Sequence, residues 1–306
     1  MLLSIIIPSR NEFYLKQTVD DIFAKARGEI EVIAVIDEQD QPLESRLNLI
    51  VHKKIGKPGM KSAVNQAVDI AQGEYILKTD GHCMFGEGFD VILTSECMPN
   101  WIVIPRRYSL DAEMTPWRIK PDRPIVDYEY FVFPFKEVTS VRNGGKWYDR
   151  AAERFSDSRY LIDETMVFQG SCWMMRRDYY LNTCKLEINS QTRDEFILEP
   201  EELAFKSWLS GGKVMVNKKT WYAHYHKHTG HRGYRIDKRT MRLQREWHID
   251  YWMHDRWPKA HVKMADFVRR FIPIPGWPSD WETNSFYEQD YLRRVEANKD
   301  PKKIMV

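Results

Sequence analysis

Three short apolar runs open the chain, and the first two are each followed by a segment whose apolar positions recur at helical spacing. Leu2 to Ile7 is continuous and β-branched, as in strands buried on both faces, and Pro8 is expected to close it. A helix is expected next, capped by Asn11, with Glu12 in its first turn. Leu15, Val19, Ile22, Phe23 and Ala26 form its inner face, and Gly28 ends it. Glu31 to Ile36 reads as a second buried strand ending at Asp37. Ala63, Ala67, Ile70 and Ala71 mark a second helix ending at Gly73. Tyr75 to Thr79 reads as a third strand ending at Asp80, and Trp101 to Pro105 as a fourth. Strand alternating with helix predicts an α/β fold, Rossmann-like, with a mostly parallel sheet and right-handed crossovers. Such sheets bind ligands beyond the carboxyl ends of their strands.

Those ends are polar in each case: Ser9 to Glu12, Asp37 and Glu38, then Asp80, Gly81 and His82. Turns favour Asp, Asn and Gly for conformational reasons alone. Three such ends along one sheet edge point to a nucleotide site. Neither G-x-G-x-x-G nor G-x-x-x-x-G-K-[ST] follows a strand, so a dinucleotide fold and a P-loop are unsupported. Asp80 and His82 flank one glycine and project the same way from an extended segment. A carboxylate and an imidazole so placed suit a divalent cation of the Mn type. Far along the chain, His224, His226, His228 and His231 crowd WYAHYHKHTGHRGY after an expected strand at Val214 to Val216. Such a stretch also reads as a solvated, mildly basic loop.

Composition narrows the classes. With 306 residues, 43% hydrophobic and 29% charged, the chain suits one large domain or two joined halves. Its four cysteines form no CxxC pair and are too sparse for a disulfide scaffold, which favours a reducing compartment. The leading apolar run is too short for a signal peptide or a membrane span, so a cytoplasmic location without membrane contact is expected. A net charge of +2 announces no nucleic-acid partner.

The runs SIIIPSRNE, GMKSAVNQAVDIAQG and EYILKTDGH, with the strand end at Asp37, resemble the nucleotide-binding half of family 2-like glycosyltransferases of the GT-A fold. The D-x-H form is similar to the polypeptide N-acetylgalactosaminyltransferases. The second half agrees with that comparison: FQGSCWMMRRDYY precedes EPEELAFKSWLSGG, and His224 follows Gly212 by twelve positions. The resemblance covers roughly residues 1 to 235. It implies that Asp80, His82 and His224 bind Mn2+ (or Mg2+), with the diphosphate of a UDP-sugar completing the shell. It also implies that Asp37 contacts the uridine with Pro8, Arg10 and Asn65 nearby, that Gly170 lies by the donor sugar, and that Lys227, His231 and Arg232 close over the diphosphate. Ile36 stands where the family often has the first Asp of a pair, and Gln169 to Cys172 replace a more glycine-rich form. Base recognition and the sugar pocket are therefore expected to differ.

Glu199, Pro200, Glu201 and Glu202 suit a helix start, where Pro and carboxylates are favoured. The functional alternative gives Glu199 or Glu201 to the acceptor side, as general base in an inverting enzyme or as an orienting group in a retaining one. The D-x-H resemblance favours retention. Residues 1–105 are thus read as the nucleotide-sugar half, 106–235 as the acceptor half of the same domain, expected as long loops with short elements in its first part, and 236–306 as a helical, basic and aromatic extension. In that extension Ile236, Thr240, Leu243, Trp247 and Tyr251 form one helical stripe, and Lys238, Arg239, Arg242 and Arg245 lie largely off it. The stripe suits packing on the catalytic domain, or a surface where cations hold phosphates and rings stack on bases. PRRYSLD, WYAHYHK and PIPGWPSDW also resemble glycosyltransferases of the kind found in bacteriophage genomes. That resemblance implies double-stranded DNA carrying hydroxymethyl pyrimidines as acceptor, against a protein Ser/Thr, a glycan, or an inactive sugar-nucleotide- or DNA-binding role.

Overall fold

The apolar runs lie side by side in one sheet. The computed structural model describes residues 2–39, 42–133, 143–188, 197–227, 244–245, 247–248 and 251–283. β1 (Leu3–Ser9), β2 (Ile30–Ile36), β3 (Leu49–Lys53) and β4 (Tyr75–Thr79) are parallel, in the order β4-β1-β2-β3. All seven residues of β2 and all five of β4 are buried, which is why both are near-continuous hydrophobic runs. β3 is an edge strand with exposed positions and a weaker apolar pattern, and sequence reasoning missed it. β5 (Cys83–Phe85) pairs with β12 (Lys213–His224), and β12 runs parallel to β6 (Trp101–Asp111). β11 (Cys172–Arg176) lies antiparallel between β6 and β4, and β10 (Ile162–Glu164) closes the other edge against β12. β7 (Arg118–Ile119) adds to β6, while β8 (Glu129–Phe131) and β9 (Asn143–Lys146) form a separate ribbon.

Helices flank the sheet: α1 (Leu15–Lys25), α2 (Met60–Ile70), α3 (Phe89–Ser95), α4 (Tyr148–Glu153), the short α5 (Arg177–Tyr179) with a π-helical turn at Tyr180–Cys184, α6 (Glu199–Leu209) and α7 (Met264–Arg269). α2 packs on β1 and β2, and α6 on β6 and β12.

Several local expectations are corrected. β1 continues through Pro8 to Ser9, because its odd-numbered residues bond β2 and Pro8 faces the other way. The proline lacks an N–H to give towards β4, so β1–β4 pairing stops at Ile6. The chain leaves β1 towards β2 on one side and meets β4 on the other, which makes this gap the topological switch point. Asn11 does not cap α1. It takes a left-handed turn (φ 52°), the helix begins at Leu15, and the Glu12 carboxylate accepts the N–H of Tyr14. β6 runs six residues beyond the expected Pro105, and β12 extends through Thr220 and Trp221 to His224, so much of the expected loop material is strand. Their shared ladder, with a bulge between Asn217 and Trp221, supplies pairing that hydrophobic periodicity does not reveal.

The C-terminal aromatics are packing residues. Trp252, Trp257, Phe267, Phe271 and Trp277 are buried in the main core, where Phe131 stacks on Phe205 and Phe205 on Trp252. The Trp277 indole N–H donates to the Phe131 carbonyl at 2.6 Å. These rings are therefore not the base-stacking surface that was the alternative for this region. Among the expected stripe, Trp247 stacks on Tyr251, while Ile236, Thr240, Leu243 and the cations Lys238, Arg239 and Arg242 lie outside the described residues. Cys83, Cys97, Cys172 and Cys184 are free and buried. Among the described residues no helix is long and apolar enough to cross a membrane.

Candidate active site

At the switch point β4 ends at Thr79, Asp80 follows, and the chain turns at once into β5. Asp80 N–H donates to the Ser171 carbonyl, and the Tyr225 N–H donates to the His82 carbonyl. Because β5 pairs with β12 in the register Cys83 to His224, the end of β12 lies against the D-G-H turn. The backbone alone thus places three ligand-type residues together.

Asp80, His82 and His224 each offer one ligand atom, all within 4.8 Å of one another. The two imidazole Nε2 atoms are 3.0 Å apart, and Asp80 Oδ2 is 3.4 Å from His224 Nε2 and 3.8 Å from His82 Nε2. Neighbouring ligands about 2.1 Å from an ion in near-octahedral geometry are about 3 Å apart, so this triangle fits one face of a Mn-type site. Burial outweighs the pull of Asp80 and pushes His224 down to about 4, so it is neutral at pH 7 and offers a lone pair. Burial works against the Asp80 carboxylate, but the Lys78 ammonium outweighs it and holds Asp80 well below the usual range. His82 Nδ1 lies 2.9 Å from Glu12 Oε2. With the Nδ1 proton shared with that carboxylate, Nε2 is left to face the cluster. Gly81 permits this arrangement, since a Cβ there would lie 2.7 Å from Glu12 Cγ.

The other expected residues divide. Arg10 binds Asp37 Oδ2 through Nε (3.0 Å) and Nη2 (2.6 Å), and the Gly59 N–H at the start of α2 joins it at 2.9 Å. This ties the ends of β1 and β2 to α2, with Pro8 one residue inside β1. Asn65 is drawn elsewhere: its Nδ2 donates to the Leu186 carbonyl, and its Oδ1 accepts from the Tyr180 hydroxyl. Lys227 ion-pairs with Glu12 beside the cluster. His231 and Arg232, expected over the diphosphate, lie outside the described residues, as does His228.

The acidic helix start is buried. Glu199, Glu201 and Glu202 are 2, 5 and 1% exposed. Glu199 accepts from the Trp173 indole N–H at 2.7 Å. Burial pushes its carboxyl up, while Lys78 and Trp173 pull the other way. Gly170 lies against it, and a Cβ there would come within 2.7 Å of Glu199 Oε2. Gly170→Ala is therefore expected to displace a pinned buried carboxylate and to destabilise the protein by about 1–3 kcal/mol. Thermal unfolding measures this, and an unchanged midpoint would show that Glu199 moves freely.

Two buried lysines, Lys78 and Lys61, escaped the sequence reading. Lys78, 3% exposed, donates to Asp80 Oδ1 (2.7 Å) and the Gly170 carbonyl (2.6 Å), and lies 3.6 Å from Glu199 Oε2. Glu202 accepts from Lys61 (2.8 Å), Lys206 (2.7 Å) and the Glu187 N–H (2.7 Å). The signal for Lys78 was a lysine inside the apolar run YILKT. Lys61 sits among alanines and Val64 on the inner face of α2.

The mostly parallel sheet flanked by helices is that of the GT-A fold. The chain belongs to glycosyl transferase family 2, whose model matches residues 4–182. No curated protein matches it in sequence. Among solved structures, GalNAc-T7 with UDP, GalNAc and Mn2+ is similar over 99% of this chain at 13% identity, with a TM-score of 0.65. S. aureus TarS 1-349 is similar over 74% of this chain and 60% of its own, at 16% identity and a TM-score of 0.48. The chain spans 57% of the length of the GalNAc-T7 structure.

Proposed function

We propose that this protein is a metal-dependent glycosyltransferase that moves a hexose or N-acetylhexosamine from a UDP-sugar to an acceptor hydroxyl. The observation that carries this reading is the convergence of Asp80, His82 and His224 at the switch point of the sheet. The UDP and Mn2+ of the similar GalNAc-T7 structure agree with it. A divalent cation bound there supplies Lewis-acid stabilisation to the departing nucleoside diphosphate. The chain's own residues do the rest. Asp37, clamped by Arg10 at the start of α2, receives the uridine. Lys227 stands beside the cluster to meet the diphosphate, with His231 and Arg232 following it in sequence. Gly170 and Glu199 border the sugar.

We read the reaction as retaining. Glu199 is buried and held between Trp173 and Lys78, which suits orientation of the donor sugar better than proton abstraction from a hydroxyl arriving from solvent. Glu201, 5% exposed in the same helical turn, is the second candidate for this role. The departing phosphate oxygen then takes the acceptor proton. The anomeric configuration of the product, read by NMR, tests this.

For the acceptor, a hydroxymethylated pyrimidine in double-stranded DNA is the first candidate, and a protein Ser/Thr or a glycan the second. A run of edge-to-face rings supports a planar acceptor: Tyr225 beside His82, then Tyr14, then Phe13, which is 82% exposed. Incubation with plain and hydroxymethylated duplex DNA across a donor panel, then nucleoside mass spectrometry, is expected to show a hexose-sized gain on the modified duplex alone. No gain with any donor removes the DNA reading. No Mn2+-dependent UDP release with any acceptor removes the enzyme reading.

A further inference from the structure

We propose that Lys78 is a positioning residue that divides the two oxygens of Asp80, holding Oδ1 so that only Oδ2 is presented to the cation. This deepens the metal site of the reading above and rests on it. The geometry is one-sided. Lys78 Nζ reaches Asp80 Oδ1 at 2.7 Å, while Oδ2 is the oxygen turned to the two imidazole nitrogens, at 3.4 and 3.8 Å. The ammonium is itself fixed from behind, by the Gly170 carbonyl at 2.6 Å and by Glu199 Oε2 at 3.6 Å. Strand pairing sets that backing: Lys78 lies opposite Trp173 in the β4–β11 ladder, and the Trp173 indole holds the other oxygen of Glu199.

An ammonium next to a metal ligand is unfavourable by charge, because it repels a divalent ion. Its burial in a strand otherwise made of buried apolar residues and a threonine calls for a compensating gain. Orientation supplies one: a carboxylate with a free χ2 torsion lies in several orientations, whereas one tethered through Oδ1 keeps a single ligand atom in place. Through the same nitrogen the carboxylate bordering the sugar is held at a set distance from the metal ligand. Glu12 does for His82 what Lys78 does for Asp80, by engaging the ring nitrogen that faces away from the cluster.

Charge and positioning predict opposite signs, which makes the inference testable apart from activity. Mn2+ binding is measured by the room-temperature EPR signal of the free ion, on the unaltered chain and on Lys78→Met. By charge alone, loss of the ammonium tightens binding. By positioning, Mn2+ affinity falls roughly 10- to 100-fold, as on loss of other groups that orient metal ligands. Equal or tighter binding in Lys78→Met overturns the proposal. Should that variant not fold, Lys78→Arg keeps the charge but replaces the single nitrogen with a planar fork. It is expected to fold and to show the same loss, and native affinity in it overturns the proposal. The two readings fail separately: if the unaltered chain takes up no Mn2+, the metal site itself is wrong, whereas normal uptake with an indifferent Lys78→Met removes only the role of Lys78.

Discussion

His82→Ala is expected to lower sugar transfer by at least about 10³-fold while leaving the fold nearly as stable as before. Lewis-acid stabilisation contributes several kcal/mol to the transition state, and each 1.4 kcal/mol corresponds to about a factor of ten. Of the three proposed ligands, His82 is the one whose removal reads most cleanly. Its imidazole sits at a turn between β4 and β5, partly exposed, and its backbone carbonyl keeps the bond from the Tyr225 N–H whatever the side chain. Asp80 is a less clean choice, because its loss also strands the buried Lys78. UDP release with saturating Mn2+, together with a thermal midpoint, separates the two effects. Release at the parental rate from a folded His82→Ala protein would falsify the assignment of the cluster as a metal site.

The second large effect is on stability. Glu202 carries two lysines in a site where all three side chains are almost fully buried. Burial alone would raise its carboxyl, but Lys61 and Lys206 outweigh it and hold Glu202 down to about 2. Removing one member of such a network leaves uncompensated charge in the core, which costs about 3–5 kcal/mol. Glu202→Gln is thus expected to lower the thermal midpoint by roughly 6–20 °C. Replacing all three together by Met, Leu and Met should recover most of that loss, since apolar residues of similar size satisfy the site without charge. The pH dependence has a fixed sign. A carboxyl depressed from 4.5 to about 2 contributes stability that is fully present above about pH 4.5 and is lost as pH falls towards 2. The gap between parent and Glu202→Gln midpoints should therefore narrow over that range. A constant gap would mean that the cost is steric.

How much of this was legible in the sequence varied from element to element. The third strand lies where the pattern puts it, at Tyr75 to Thr79, because a strand covered on both faces is apolar at every position but the odd one. Asp80 and His82 were legible because a turn of three residues keeps them together whatever the rest of the fold does. His224 was legible through its distance from the W-x-x-G-G end of α6, which is a matter of resemblance. The strand on which it rides was not, since Asn217 to Lys219 interrupt the apolar run and only pairing with β6 and β5 carries the strand past them. The C-terminal tryptophans show the same limit: their composition fits stacking on bases or packing on Phe205, and packing decided it.

The sequence by itself determined the alternating strand and helix, the polar carboxyl edge and the local half of the proposed metal site, all of which depend on residues a few positions apart. The tertiary structure alone decided which strand carries His224 to the D-G-H turn, that Glu199 and Glu202 are buried, and that Lys78 and Lys61 are their counter-charges. The physical reason is range. Periodicity and turn chemistry act between neighbours along the chain. The neutralisation of a buried charge needs a partner that only folding brings within about 3 Å, and Lys61 and Glu202 are 141 residues apart.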